Sequence, residues 1–319
     1  MPRFMRKLAI LAKIETTYKT DSVPTGALNA LLVSNVGINP LNANNVDRDL
    51  IKPYFGGSEQ LVGTANKTVN FDVELSGSGA AGTAPAWGPL LRACGFAEVV
   101  TAATRVDYTP ITDNMESVTI YYYQDGALHK LLGARGTFAL KAGIGERPVF
   151  SFTFTGIDGG LAAAANPAVT LTGFKTPLVV TDPNTADVTF GGAYAAGVVT
   201  GGTNYPSKGL ELDCGNTVSY VPLLGGESVD VTQRAVTGSV ALDLTAAQEV
   251  TFMNDVKAAT LQTVSLQHGV TAGNIILLFL TGVQKIEPNY QDESGRSLNT
   301  YNLRAVPQAG NDEFRIVVM

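Results

Sequence analysis

Residues 68–75 read TVNFDVEL, a stretch in which apolar and polar side chains alternate with a period of two. The apolar side chains fall on one face, and Asn70, Asp72 and Glu74 fall on the other. This pattern is typical of a β-strand with one face in a hydrophobic core and one polar face. We therefore expect a mainly β protein built from short strands. Similar runs lie at 116–123, 131–140 and 149–155, with a hairpin turn predicted at Gln124-Asp125-Gly126.

The composition predicts a protein whose surface is partly covered by other subunits. At 319 residues the chain can bury two ordinary cores, yet charged residues make up only 16% of it, below the roughly 25% of an average soluble domain. The net charge of -6 argues against a protein that grips nucleic acid, because phosphate binding requires an excess of Lys and Arg. No apolar run reaches the roughly 18 residues of a membrane span, and Lys13 and Glu15 interrupt the first run too early for a signal peptide. We expect a soluble protein made in a cytoplasm.

The segment Gly77–Gly82 matches G-x-G-x-x-G, the glycine pattern of loops that bind dinucleotide phosphates. Such a loop requires a helix that starts inside the motif and a parallel β-α-β unit around it. Here Pro85 and Pro89 delay the helix, and the sequence that follows predicts hairpins. We interpret the motif as a connector between a strand and a helix. A nucleotide retained by the purified protein would favour the alternative, an enzyme.

Residues that could carry metal or nucleophilic chemistry are scattered. His129 and His268 are the only histidines, and neither has a second nitrogen or sulfur ligand nearby in the sequence. Cys94 and Cys214 show no paired spacing, which favours two buried, reduced thiols over a disulfide or a zinc site. The sequence therefore predicts no metal, no cofactor and no enzymatic activity. Clustered acids that lack the oxygen spacing of a Ca²⁺ loop are interpreted as solvated turns: Asp47, Asp49, Asp292 and Glu293.

Aromatic residues indicate where the sheets are covered. Trp87, the only tryptophan, lies in the segment APAWGP and is predicted to close the core over the next helix rather than to contact a partner. Tyr121, Tyr122 and Tyr123 are consecutive, so their rings point to both faces of one strand. Both faces of that strand are therefore expected to be at least partly covered.

The order of predicted elements occurs twice along the chain. In the first half a Gly-Gly turn precedes the strand 68–75, and a short helix, Pro89–Cys94, ends at Gly95. In the second half a Gly-Gly turn precedes the strand 237–244, and a helix follows at 248–259. We interpret this order as a duplication that lets one chain do the work of two subunits. The other strands predicted in the second half are 209–213, 218–224, 228–232, 263–268, 275–285 and 298–306.

Several stretches resemble the major tail tube protein of long, non-contractile-tailed, siphovirus-like bacteriophages. In the first half these are KLAILAKIETTYKTDSVPTGALNALLVSNVGINPL from Lys7, NNVDRDLIKPYFGGSEQLVGT from Asn44, FDVELSGSGAAGTAPAWGPLLRACGFAE from Phe71 and HKLLGARGTFAL from His129. The resemblance continues more weakly through GLELDCGNTVSY, ESVDVTQRAVTGSV and LQHGVTAGNII to about Pro307. It is a match of pattern and includes no catalytic signature.

The resemblance implies a β-sandwich or β-barrel tube fold with an α-helix packed on its side. Subunits of this kind join their lumenal sheets edge to edge into a closed ring barrel, and the rings stack into a hollow tube through which DNA passes without specific binding. With the duplication, we expect two tandem tube domains per chain and a homotrimeric ring of pseudo-sixfold symmetry, with a hexamer as the alternative. The expected divisions are a first domain at 1–160, connecting strand and loops at 161–206, and a second domain at 207–319.

The same resemblance implies where subunits meet. The N-terminal arm before Ala27 and the C-terminal tail 311–319 are expected to add strands or plugs to neighbours. A loop at about 44–66 is expected to order between rings, with five candidate contact residues: Asp47, Arg48, Asp49, Tyr54 and Phe55. Three acids are expected to face the lumen and repel phosphate: Asp72, Glu74 and Asp243.

The expected partners are further copies of the chain, the tape-measure protein and the tail-terminator and tip proteins, with no membrane. The expected location is the virion tail, after synthesis in the bacterial host cytoplasm. A β-sandwich module for capsid decoration or adhesion is the alternative, since it shares short strands and loops rich in Gly and Thr but does not stack into tubes.

Overall fold

Strands make up 54% of the chain and helices 7%, which confirms the prediction of a mainly β protein. The structure is a computed structural model that describes residues 2–319. The helices are α1 Gly26–Asn29, α2 Gly88–Ala93 and α3 Ala246–Lys257. The strands up to residue 163 are β1 Leu8–Ile14, β2 Ala30–Leu31, β3 Ser34–Asp47, β4 Gln60–Glu74, β5 Phe96–Thr101, β6 Arg105–Pro110, β7 Val118–Gln124, β8 Ala127–Gly143 and β9 Val149–Ala163. The later strands are β10 Val188–Phe190, β11 Ala193–Ala195, β12 Val198–Thr200, β13 Thr203–Tyr205, β14 Ser207–Asp213, β15 Asn216–Leu223, β16 Gly226–Arg234, β17 Thr237–Leu242, β18 Leu261–His268, β19 Ile276–Glu293, β20 Arg296–Ala305 and β21 Arg315–Val318.

The alternating strand at residues 68–75 lies in the main core. Phe71 of β4 is buried between Phe152 and Phe154 of β9, with its ring centroid 6.0 Å from each of theirs. Trp87 is 1% exposed, and its indole N–H donates to the Ser76 carbonyl oxygen at 2.9 Å. The prediction that Trp87 closes the core is therefore confirmed. So is the end of α2 at Gly95, whose φ of +82° lies in the left-handed region that glycine favours.

Eight antiparallel strands form one continuous sheet with the order β3-β4-β9-β8-β14-β17-β20-β19. The first four strands come from the first half of the chain, and the last four come from the second half. The two groups join where residues 139–143 of β8 pair with residues 209–213 of β14. The core covers one face of this sheet, since Phe71, Leu140 and Val240 are all buried.

Six of the remaining strands form a second set of pairings that occurs in both halves. In the first half, β1 pairs with β2 and β7, and β7 pairs with β8. In the second half, β10 pairs with β13 and β18, and β18 pairs with β19. A helix follows the matching strand in each half, because α2 comes after β4 and α3 comes after β17. The two halves of the chain therefore share the pairing of their strands as well as the order of their elements.

The loop predicted at about 44–66 is shorter in the structure, because β3 reaches Asp47 and β4 begins at Gln60. The sequence NPLNANNVD in β3 shows no alternation of apolar and polar residues. Nearly every one of its side chains is exposed in the structure, so neither face of this part of the strand enters a core. Main-chain pairing with β4 holds this polar strand in place. Only residues 48–59 remain outside the strands.

The first and last strands of the described chain, β1 and β21, pack against their own subunit. β1 pairs with β7, and Ile10 and Leu11 are buried. β21 lies between β6 of the first half and β19 of the second half. The expectation that these segments add strands to neighbours is thus corrected for Leu8–Ile14 and Arg315–Val318, whose apolar residues are already covered inside the subunit.

Two other boundaries differ from the sequence prediction. In the described chain, residues 164–187 contain no strand, whereas four short strands lie between Val188 and Tyr205 within the predicted connector. Helix α3 begins at Ala246, two residues before the predicted start, because Thr245 and Gln248 form a capping box. The prediction for the tyrosines is confirmed, since Tyr121 is 5% exposed and Tyr122 is 2% exposed on opposite faces of β7. Among residues 2–319, no helix is both long enough and apolar enough to span a membrane.

Candidate assembly surfaces

The cysteines and the glycine motif that were weighed for chemistry are buried or used in packing, whereas the acids Asp47, Asp49, Asp292 and Glu293 are exposed. Cys94 and Cys214 are free and buried, and burial raises the pKa of both thiols well above the usual range, so they stay protonated. The described residues contain no cluster of three or more His, Cys, Asp or Glu side chains that could hold a metal ion. The glycines of the Gly77–Gly82 motif allow a close contact within the chain. A Cβ on Gly77 would lie 2.0 Å from the Gly273 carbonyl oxygen, which accepts a hydrogen bond from the Gly79 N–H at 2.8 Å.

Two segments of the eight-stranded sheet have one open edge. In residues 2–319, β3 pairs with β4 alone, and residues 287–293 of β19 pair with β20 alone. These segments are the first and last strands of the sheet, so their open edges lie at its opposite ends. Unpaired main-chain N–H and C=O groups along an open edge form a template for another strand.

The sheet face turned away from the core carries the three acids predicted to face a lumen. Glu74 pairs with Arg147, at 2.6 Å between Oε1 and Nη1, and Asp243 pairs with Arg296. Asp72 accepts a hydrogen bond from the Asn35 side-chain amide at 2.6 Å. All three acids therefore lie on one polar face, and two of them are neutralised by an arginine.

The tip of the β3–β4 hairpin, residues 48–59, projects apolar and aromatic side chains into solvent. Phe55 is fully exposed, Ile51 is fully exposed, and Tyr54 is 68% exposed. Among the described residues, the side-chain hydrogen bonds of this tip stay within the hairpin, as in the Arg48–Glu59 pair. Asp47, Arg48 and Asp49 are also exposed, so the five predicted contact residues share one protruding segment.

The second long hairpin, β15–β16, is a separate two-stranded sheet held against the first half of the chain. Arg135 of β8 donates to the Val229 carbonyl oxygen and to Asp230, both at 2.9 Å. The guanidinium of Arg135 also lies 5.0 Å from the ring centroid of Tyr18, whose hydroxyl accepts a 2.6 Å hydrogen bond from the Val229 N–H. This anchor has no local sequence signal, because Arg135 lies 94 positions from Val229 and Tyr18 lies 211 positions from it.

A scan against protein-family models matches residues 5–313 to the phage tail tube protein family. The chain belongs to this family. As a tail tube protein it is a structural component of the virion tail, and the β-rich architecture above is its fold. No curated protein matches the sequence.

Sequence reasoning missed the edge strands of this tail tube protein. In β3 and in residues 287–293 the only available signal was a proline in a polar strand, Pro40 and Pro288, which is typical of sheet edges. The exposed hairpin tip was easier to find, because aromatic side chains in a polar, glycine-rich segment have no core to join.

Proposed function

We propose that the chain is the major tube protein of a long, non-contractile phage tail, and that it self-assembles into stacked rings. The hollow tube formed by these rings would carry DNA into the host. The observation that carries this proposal is the eight-stranded sheet with one open edge at each end. Closure of several copies into a ring removes both edges, which is how barrels avoid uncontrolled strand pairing.

We further propose that the chain holds two tandem tube domains. The support is the strand order, in which β14-β17-β20-β19 repeats β3-β4-β9-β8. Because β10 and β13 repeat β1 and β2, we place the second domain at 188–305, earlier than the expected start at 207. Three copies then supply six domains to a ring of pseudo-sixfold symmetry, and a ring of six whole chains is the alternative.

The polar sheet face would line the lumen. Its central positions carry small uncharged side chains, such as Thr153, Ser239 and Thr300. Its acids Glu74 and Asp243 are paired with arginines. Of its other exposed cations in the described chain, Lys141 lies opposite Glu211 and Arg304 stands alone, so the face offers DNA neither a stripe of unpaired cations nor an apolar surface. DNA would pass without specific binding, because binding to phosphate requires unpaired Lys and Arg.

The tip of the β3–β4 hairpin would contact the adjacent ring. Side chains as exposed as Ile51 and Phe55 are costly to leave in water and would be buried by stacking. The proposed partners beyond the tube itself are the tape-measure protein in the lumen and the terminator and tip proteins at the two ends. Synthesis would take place in the bacterial host cytoplasm.

Negative-stain electron microscopy of the purified protein over a concentration series tests this function. We expect hollow tubes of stacked rings, with three repeating masses per ring and each mass split in two. Six identical whole chains per ring would reject the trimer and keep the tube. Persistent monomers at every concentration would reject the tube and favour a decoration or adhesion module.

A further inference from the structure

The junction between the two halves of the chain is a pairing of two sheet edges. Residues 139–143 of β8 run antiparallel to residues 209–213 of β14, with Leu140 opposite Leu212. Both leucines are buried, at 0% and 2% exposure. The junction therefore combines main-chain pairing with an apolar contact on the core side of the sheet.

Two arginine pairs allow the halves to be aligned residue by residue. Arg147 pairs with Glu74 in the first half, and Arg296 pairs with Asp243 in the second half. Three residues after each arginine, Phe150 pairs with Leu140 of β8 and Asn299 pairs with Tyr290 of β19. Tyr290 thus occupies the place in the second half that Leu140 occupies in the first.

The other edge aligns in the same way. Five residues before each acid, Val69 pairs with Ile38 of β3, and Gly238 pairs with Leu212 of β14. Ile38 thus occupies the place of Leu212. The backbone supports this alignment. Three residues before Ile38 and three residues before Leu212 it is left-handed, with a φ of +51° at Asn35 and +107° at Gly209.

The two counterparts of the buried leucines have no strand partner on the outer edge within the described chain, although the Tyr290 hydroxyl donates to Glu249. Tyr290 is 61% exposed and Ile38 is half-buried, and each lies on a segment with an open edge. The same positions are covered at the β8–β14 junction. The subunit therefore contains one completed copy of a junction and the two separated parts of another.

Resting on the ring assembly proposed above, we infer that residues 289–291 of one copy pair antiparallel with residues 37–39 of the next copy, with Tyr290 opposite Ile38. Asn289 then lies opposite Asn39, and Gln291 lies opposite Gly37. The register brings Pro40 opposite Pro288, so strand pairing ends at the same level on both strands.

The surroundings of β3 fit the turn that follows β19. A groove of about 620 Å³ beside β3 is lined by Arg6, Ile10, Leu31 and Val33. In the completed junction, the turn after β8 lies on the chain that precedes β10, with the Gly145 N–H donating to the Val180 carbonyl oxygen at 2.8 Å. The corresponding turn after β19 follows Asp292 and Glu293. Glu293 already pairs with Lys208, and the charge of Asp292 complements that of Arg6.

The proposed pairing is two residue pairs shorter than the internal one at its glycine end. A Cβ on Gly209 would lie 1.9 Å from the Ala142 carbonyl oxygen, so only glycine allows pairing there. Asn35 has a Cβ at the matching place, and its side chain already donates to Asp72. The contact between copies therefore begins beyond Asn35.

Cysteine cross-linking tests the register on the exposed polar face. The variant Asn39→Cys/Asn289→Cys places thiols on residues that stand opposite each other, and Asn39→Cys/Gln291→Cys shifts one thiol by two residues on the same face. Cα atoms opposite each other lie within disulfide range, whereas the shifted pair lies too far apart. On assembled rings under mild oxidation, we expect at least tenfold more linked chains for the first variant than for the second.

Microscopy of the same samples separates two kinds of failure. Rings that link equally in both variants, or more in the shifted one, would overturn the register and leave the tube function standing. A wild-type chain that forms no rings at any concentration would overturn the proposed function itself. Mixing Asn39→Cys with Asn289→Cys single variants should link chains only in pairs, and links within either variant alone would also contradict the register.

A second pair of variants tests the apolar contact without any cross-link. Tyr290→Ser should raise the protein concentration at which rings form by about tenfold or more, because the buried ring is lost. Tyr290→Phe keeps the ring and should stay within about threefold of wild type. Equal assembly of Tyr290→Ser and wild type would overturn the contact between Tyr290 and Ile38.

Discussion

The β3–β4 and β15–β16 hairpins leave the eight-stranded sheet at matching places, yet only the second is held against its own subunit. β15–β16 contacts the first half through Arg135, Tyr18 and the Lys19–Glu227 ion pair, with 2.7 Å between Nζ and Oε2. The tip of β3–β4 makes its side-chain hydrogen bonds within the hairpin, among the residues described. One hairpin is thus fixed by the fold, and the other is left for a partner.

The difference begins at one glycine. At Gly215 the chain turns between β14 and β15 with a φ of +63°, and β15–β16 separates from the main sheet. In β3–β4 the pairing with the same partner strand continues through Asn42 and Asn66 without such a turn. A local backbone conformation therefore decides whether a hairpin extends from the sheet or folds back on it.

Among the variants that test this difference between the hairpins, Gly215→Ala should cause the largest loss of stability. A Cβ at this position would lie 2.1 Å from the Ala235 carbonyl oxygen, in a left-handed conformation that other residues disfavour. We expect a loss of about 3 kcal/mol in the free energy of unfolding, measured by chemical denaturation of the unassembled chain. Gly57→Ala in the free tip, where a Cβ meets nothing within 4 Å, is the matched control and should change stability by less than about 0.5 kcal/mol. Similar losses for both variants would contradict this account of the turn.

Removing the anchor of the second hairpin should have the next largest effect. Arg135→Ala removes the hydrogen bonds to Val229, Asp230 and Met115, and it leaves the Val229 carbonyl oxygen with only the longer side-chain bond from the Tyr18 hydroxyl. We expect a loss of about 2 kcal/mol in the free energy of unfolding. The control is Arg48→Ala, which breaks the exposed pair with Glu59 and should cost less than about 0.5 kcal/mol. An Arg135→Ala variant as stable as this control would show that the anchor is not needed.

Strands with apolar alternation could be predicted from the sequence, and polar strands could not. The sequence TVNFDVEL predicts β4 because one face of that strand enters the core. The hydrophobic effect then determines which of its side chains point inward. β3 and the end of β19 have no such signal, since their side chains are largely exposed and main-chain pairing holds them. An isolated sequence does not say which partner supplies that pairing.

The candidate surfaces divide in the same way. The hairpin tip could be predicted, because Tyr54 and Phe55 in a polar segment have no local reason to be apolar. Of the matched pairs Arg147–Glu74 and Arg296–Asp243, only the acids could be predicted. Glu74 followed from the alternation of β4, and Asp243 followed from the proposed repeat. Their arginines lie 73 and 53 residues away in the sequence, so only the folded sheet brings the charges together.

The free tip should affect assembly and leave the folding of the subunit unchanged. Phe55→Ser removes a fully exposed ring, so the free energy of unfolding of the unassembled chain should stay within about 0.5 kcal/mol. If stacking buries this ring, the loss of about 2 kcal/mol should raise the concentration required for tubes by more than tenfold. Light scattering and electron microscopy over a dilution series measure that concentration. Phe55→Leu is the control and should assemble more readily than Phe55→Ser, and equal assembly of all three chains would contradict the contact.

The smallest expected effect is a pH dependence of the Lys19–Glu227 ion pair, the tether that links the β15–β16 hairpin to the first half of the chain. Hydrogen bonds from Lys19 and Tyr220 lower the pKa of Glu227 below its usual value of 4.5. Since the folded chain binds the proton less readily than the unfolded chain, the tether stabilises the fold above pH 4.5 and is lost as the pH falls through the lowered pKa. Glu227→Gln should therefore be less stable than wild type by at most about 1 kcal/mol at pH 7, as for other partly exposed ion pairs. Denaturation from pH 7 to pH 3 measures the stability difference between wild type and Glu227→Gln. We expect this difference to shrink over the acidic part of that range. A difference that stays constant would mean that the Glu227 charge does not hold the hairpin.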